Sequence, residues 1–126
     1  MGVWLDVNVN PLGRRVGDCA VRAIAVALDT DWETAYCLLA SCGYDTKNIM
    51  NADAVIGKTL RDHGFKRAVI PNSCPDCYSA EEFCEDHPTG TYVLFFGGHV
   101  ACVKDGKLYD TWNSSYEIPQ YYWEKE

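Results

Sequence analysis

The stretch that most constrains this chain is RRVGDCAVRAIAVAL, residues 14–28. After Asp18 and Cys19 it is apolar on every side of a helical projection, and Arg22 is its single charge. A helix that is hydrophobic all round is stable only when protein surrounds it. A chain of 126 residues, 48% hydrophobic and 13% aromatic, has the material to do that as one domain, residues 1–126, without metals or disulfides. The helix, expected from about Asp18 to Leu28, is therefore the centre of the fold. Arg22 inside it needs an acidic or carbonyl partner.

Turn formers punctuate the rest. Asn8, Asn10, Pro11 and Gly13 mark residues 1–17 as irregular. Asp29-Thr30-Asp31 ends the first helix and offers an N-cap for a second, Trp32 to about Cys42, closed by Gly43. Tyr44 to Met50 reads as a loop. Asn51 can cap a third helix, Ala52 to about His63, closed by Gly64. A strand over Phe65–Ile70 and a short helix from Ser79 to about Asp86 follow. Thr91–Phe96 is a continuous apolar run suited to a strand buried on both faces. Val100–Val103 and Leu108–Asp110 flank Asp105-Gly106, a tight-hairpin pair, and Tyr116–Ile118 is a further edge strand. Helices first and an antiparallel sheet after make an α+β domain.

Eighteen acidic and eleven basic residues give a net charge of −7. Phosphate binding needs a basic footprint, so nucleic acid and anionic membrane surfaces are disfavoured as partners. MGVWLDVNVN carries neither a basic n-region nor an apolar h-region, so no secretory signal is read. No apolar run is long enough to span a bilayer. Seven cysteines, an odd number without an export signal, fit reduced thiols in a cytoplasm better than a disulfide scaffold.

Cys19 stands at the start of the central helix, where the dipole and unpaired N–H groups stabilise a thiolate and can hold an oxyanion. Gly17 lets the chain turn tightly before it. Position alone also fits a small buried hydrophobe. Of the three histidines, His63 and His87 sit at helix ends. His99 differs: it follows Phe96-Gly97-Gly98 and opens a strand, either as a satisfied core residue or as a base. The hairpin register bears on this. A two-residue turn at Asp105-Gly106 pairs Lys104 with Lys107, Ala101 with Asp110 and His99 with Trp112. His99, Ala101, Asp110 and Trp112 then share one face, and His99 and Asp110 are diagonal neighbours. Asp110 can orient the imidazole and leave its other nitrogen for a thiol. Asn113, the alternative orienting residue, faces the other side.

GDCAVRAIA and GTYVLFFGGHVACVKDGKLYDTWN resemble the small papain-like cysteine peptidases. They are most similar to the branch that contains bacteriocin leader peptidases and small bacterial or phage-encoded papain-like proteins. The specific motifs cover about residues 17–28 and 90–113. The resemblance implies a central N-terminal helix packed on a small antiparallel sheet, with Cys19 as nucleophile, His99 as base and Asp110 as orienting residue. It implies a cofactor-free cysteine hydrolase, a peptidase acting on a peptide or protein in the cytoplasm of a bacterium or a phage-infected cell. Papain-like enzymes usually carry a Gln ahead of the nucleophile to complete the oxyanion hole. NVNPLGRRVGD has none, and Asn10 is nearer than Asn8 as a substitute.

A glutamine deamidase or acyl transferase would use the same triad. A non-catalytic interaction domain is the reading from a different class, and the missing Gln favours it. Cys74, Cys77, Cys84 and His87 form C-x2-C-x6-C-x2-H, a zinc-like spacing that would stabilise such a domain. Set against zinc, Ser79–Asp86 reads as an ordinary capped helix and Pro75-Asp76 as a turn. Arg14 and Arg15 either attract an acidic substrate and assist the thiol or are simply solvated. Tyr116, Tyr121, Tyr122 and Trp123 either wall a peptide site or cover the sheet edge.

Overall fold

The computed structural model describes residues 2–70 and 78–126. Helix α1 (Cys19–Ala27) lies at its centre, with Ala20, Val21, Ala23, Ile24, Ala25 and Ala27 all buried. Small side chains on most sides let neighbours approach closely from every direction. Helices α2 (Trp32–Thr46) and α3 (Asp53–Asp62) pack around it. Beneath lies a six-stranded sheet: β1 (Trp4–Asp6), β2 (Phe65–Val69), β3 (Thr91–Phe96), β4 (His99–Lys104), β5 (Lys107–Asp110) and β6 (Tyr121–Lys125), in the order β1-β5-β4-β3-β6-β2. Helix α4 (Ala80–Asp86) covers the opposite face. The protein is thus a mixed α+β fold of four helices and one sheet among the described residues. None of these helices is long and apolar enough to cross a membrane.

The pleat of β3 explains its unbroken apolar sequence. Val93 and Phe95 join the α1–α3 side of the core, whereas Tyr92, Leu94 and Phe96 join the α4 side. Both faces of the strand are dry, so alternation disappears. The β4–β5 turn is the expected one, with Asp105 at φ 50° and Gly106 at φ 76°, the left-handed pair that a two-residue hairpin needs. Lys104 pairs with Lys107, Val103 with Leu108 and Cys102 with Tyr109. The ladder ends there, so the expected Ala101–Asp110 and His99–Trp112 pairs are not part of it. The backbone of Asp110 turns instead to β1, where its carbonyl accepts the Val7 N–H and the Trp4 indole N–H, both at 3.0 Å.

Several sequence expectations need correction. Residues 1–17 are not wholly irregular: Trp4–Asp6 forms β1, and it runs parallel to β5, so the sheet is not purely antiparallel. Three residues are too few to show a strand period, and pairing with β5 decides the matter. Tyr116–Ile118 is not a strand. The strand is Tyr121–Lys125, and it lies inside the sheet between β3 and β2 rather than covering an edge. The segment before it serves α4 instead, since the carbonyls of Ser115 and Glu117 accept the Glu81 and Ala80 N–H groups at 2.9 Å. Helix α2 runs past Gly43 to a left-handed cap at Lys47. Gly43 is there for space, because a Cβ would lie 2.9 Å from the Asn48 carbonyl oxygen as the chain folds back. Helix α3 begins at Asp53 with Ala52 at the cap position and no side-chain cap, so Asn51 is not its N-cap.

Gly57 is also a matter of space: a Cβ there would come 2.8 Å from Trp123 Cζ2, and that indole is 4% exposed. Gly57→Ala is expected to cost about 1–3 kcal/mol by overpacking, seen as a lower urea midpoint with an unchanged m-value.

Candidate active site

Cys19 is the first residue of α1, and Asp18 holds the cap position. Asp18 does not cap. Its carboxylate turns sideways: Oδ1 accepts from Arg22 Nε at 2.8 Å, and Oδ2 accepts from Trp32 Nε1 at 2.9 Å and Asn10 Nδ2 at 3.3 Å. Burial raises its pKa, but the bonds from Arg22, Trp32 and Asn10 and the Arg22 charge lower it below the usual carboxylate value. The first helical bond runs from the Arg22 N–H to the Asp18 carbonyl at 2.9 Å. The N–H groups of Cys19, Ala20 and Val21 come before it, with no side-chain cap on them. This is the positive end of the helix dipole, placed at the thiol.

Asp110 ends β5 and is fully buried. Each of its carboxylate oxygens accepts two hydrogen bonds. Oδ1 takes the Arg22 Nη1 donor at 2.9 Å and the Thr111 N–H at 2.8 Å. Oδ2 takes His99 Nε2 and the Ser114 hydroxyl, both at 2.6 Å. Burial pushes its pKa up, and the bonds from His99, Ser114 and Arg22 outweigh that, so the net direction is down. A carboxylate only accepts, so His99 Nε2 carries a proton and Nδ1 is left for Cys19. The imidazole sits between Phe96, at 5.8 Å between ring centroids, and Trp112, at 5.0 Å.

Burial lowers the His99 pKa, but hydrogen bonds to Asp110 and Cys19 and their charges raise it further, to about 9. For Cys19, burial raises the thiol pKa. Hydrogen bonds from His99 and the Val100 backbone, with the charges of His99 and Arg22, bring it below the ordinary value. Cys84 and Cys102 go the other way, pushed up to about 12 by burial. The thiol and imidazole open onto a cavity of about 220 Å³, which Asn51, Asp53, Ile56 and Gly98 also line.

The other sequence candidates are elsewhere or differently engaged. Asn10 is held beside the Asp18 carboxylate, and its Oδ1 accepts the Leu12 N–H at 2.9 Å. Asn113 is exposed, and its Oδ1 accepts from the Ser115 N–H and hydroxyl, while Asp110 takes the imidazole. Arg15 donates to the Thr111 carbonyl at 2.8 Å. Of the zinc-like set, Cys74 and Cys77, with the Pro75-Asp76 turn, lie outside the described residues. His87 stacks on Phe83 with centroids 3.9 Å apart and donates from Nδ1 to the Phe83 carbonyl. Among the described residues no three potential metal ligands come together. The parts that sequence reasoning missed are Trp32, Ser114 and the cavity residues Asn51 and Asp53. For Arg22 the sequence shows only the need of a partner, and its place four residues after Asp18, about 40° apart around the helix, is the available signal for one of the two.

No family model matches the chain, and neither curated proteins nor solved structures give a match.

The buried cation sets a test. Arg22→Met leaves two buried carboxylates without it, an expected loss of about 3–5 kcal/mol at neutral pH. Asp18 and Asp110 titrate lower in the folded state than in the unfolded one. Their stabilisation is therefore complete above the unfolded value of about 3.9 and is lost as pH falls through the folded values. Urea unfolding at neutral and acid pH should show the gap between wild type and variant narrowing with acid.

Proposed function

We propose that this protein is a cysteine hydrolase, a peptidase or amidohydrolase that works through Cys19, His99 and Asp110. The observation that carries the reading is the unbroken line from a buried carboxylate through an imidazole to one thiol. His99 Nε2 lies 2.6 Å from Asp110, and the thiol on the imidazole's other side has a lowered pKa. The arrangement is similar to that of papain-like cysteine peptidases, with the nucleophile at the start of a central helix and the His and Asp on later strands. That resemblance, and a cytoplasmic setting in a bacterium or a phage-infected cell, belong to the same proposal.

In this mechanism the Cys19 thiolate attacks the substrate carbonyl, forming a C–S bond as the carbonyl electrons move onto oxygen. The Cys19 N–H and its neighbours in the first turn of α1 hold that oxyanion, while the Asn10 amide stays on the Asp18 carboxylate and does not line the cavity at the thiol. The C–N bond breaks as His99 Nδ1 gives its proton to the leaving amine. Water then attacks the thioester, passing a proton to His99, and the C–S bond breaks to release the acid and restore the thiolate. Asp110 keeps the imidazole oriented and stabilises its charged form. A glutamine deamidase would follow the same course with ammonia as leaving group, and an acyl transferase would replace water with an amine acceptor.

Two measurements test this. Iodoacetamide at mildly acid pH should alkylate Cys19 ahead of Cys84 and Cys102, read by peptide mass mapping, and His99→Ala should abolish the preference. In a peptide-substrate screen, His99→Ala should lower kcat/KM by about 10²–10⁴-fold, and Cys19→Ala should remove turnover. Indifferent labelling of all accessible thiols would favour a non-catalytic interaction domain.

A further inference from the structure

Next to the thiol lies a second, larger cavity of about 430 Å³, walled by Val16, Val21, Trp32, Tyr36 and Met50. It meets the catalytic cavity at Ala20 and Asn51, which line both. Its volume is within the range of about 300–1,000 Å³ usual for ligand pockets. The one ionised group in its wall, Asp18, is already bonded to Arg22, Trp32 and Asn10. Trp32 and Tyr36 stack at 5.2 Å and make one aromatic side of it. Tyr36 and Val16 are each 43% exposed at its mouth.

Gly17, which also lines this cavity, supplies an independent observation. The turn there is tight, closed by the Asp18 N–H on the Val16 carbonyl at 2.7 Å. Yet Gly17 is absent from the positive-φ residues, so this turn is open to any residue and does not require glycine. A Cβ on Gly17 meets no atom within 4 Å. Neither backbone strain nor packing within the chain accounts for a glycine two residues before the nucleophile. The glycine leaves open space over the backbone there, where a ligand can approach closely.

We infer that this cavity, with the open space over Gly17, receives a bulky apolar side chain on the acyl side of the scissile amide. The inference rests on the cysteine hydrolase reading. The side follows from proton transfer: the leaving nitrogen must face His99, and no residue of β4 lines the larger cavity. The acyl portion therefore points away from His99, towards Gly17 and the aromatic wall.

The test uses two peptidyl acyloxymethyl ketones, with Phe or Gly next to the ketone, and iodoacetamide as a probe too small to need a subsite. Labelling of Cys19 is followed by intact mass. The Phe ketone should react at least about 10-fold faster than the Gly ketone, a usual scale for apolar-pocket discrimination. Gly17→Val should lower the ratio of Phe-ketone to iodoacetamide rates by a similar factor, as should Tyr36→Ala, which alters the far wall and leaves the turn intact. Equal rates for the two ketones, or no reaction with either while iodoacetamide labels Cys19 selectively, overturn the subsite and leave the nucleophile standing. Unselective iodoacetamide labelling overturns the hydrolase reading, and the subsite with it.

Discussion

Arg22 is the constraint on which the rest of the structure depends. One guanidinium is bonded to Asp18, four residues back on the same helix, and to Asp110, 88 residues further along the chain. Burying a cation is costly unless its partners are well placed, and here two carboxylates share it. Two carboxylates against one guanidinium leave an excess negative charge in the interior. The nearby imidazole bonds one of these carboxylates, and the bonds and charges of Asp110 and Cys19 raise the His99 pKa to about 9 in spite of burial. The same buried carboxylate thus joins the Arg22 cluster to the His99 imidazole, and through it to the Cys19 thiol, whose pKa is lowered.

The same arrangement explains an oddity at the start of α1. An aspartate at a helix N-cap ordinarily bonds the first-turn N–H groups. Asp18 is drawn away by Arg22, Trp32 and Asn10. The helix gives up a cap, worth about 1 kcal/mol, and keeps its N–H groups open beside the Cys19 thiol. A residue type that suggests a cap acts here as a tether.

What the sequence made legible was whatever local patterning or a short-range turn controls. The all-round apolar run predicts the central α1. Asp105-Gly106 predicts the hairpin, and its register brings His99 and Asp110 near each other, although the ladder stops at Cys102–Tyr109 and the last step is made by side chains. Illegible were the features that exist only through distant partners. β1 has three residues and is a strand because β5 is beside it. Tyr121–Lys125 mixes aromatic and charged residues as an edge would, yet it is enclosed because β2, from the middle of the chain, adds outside it. Ser114 and Trp32 carry no motif, and their roles arise where they meet Asp110 and Asp18.

The bonds that converge on Asp110 have a bearing on how the protein is made. Trp4 reaches Asp110 across 106 residues and Arg22 across 88. During synthesis the chain carries its thiol through most of its length with neither the imidazole nor the carboxylate yet available. The buried cluster around Arg22 and Asp110 is therefore among the last contacts that the growing chain can complete.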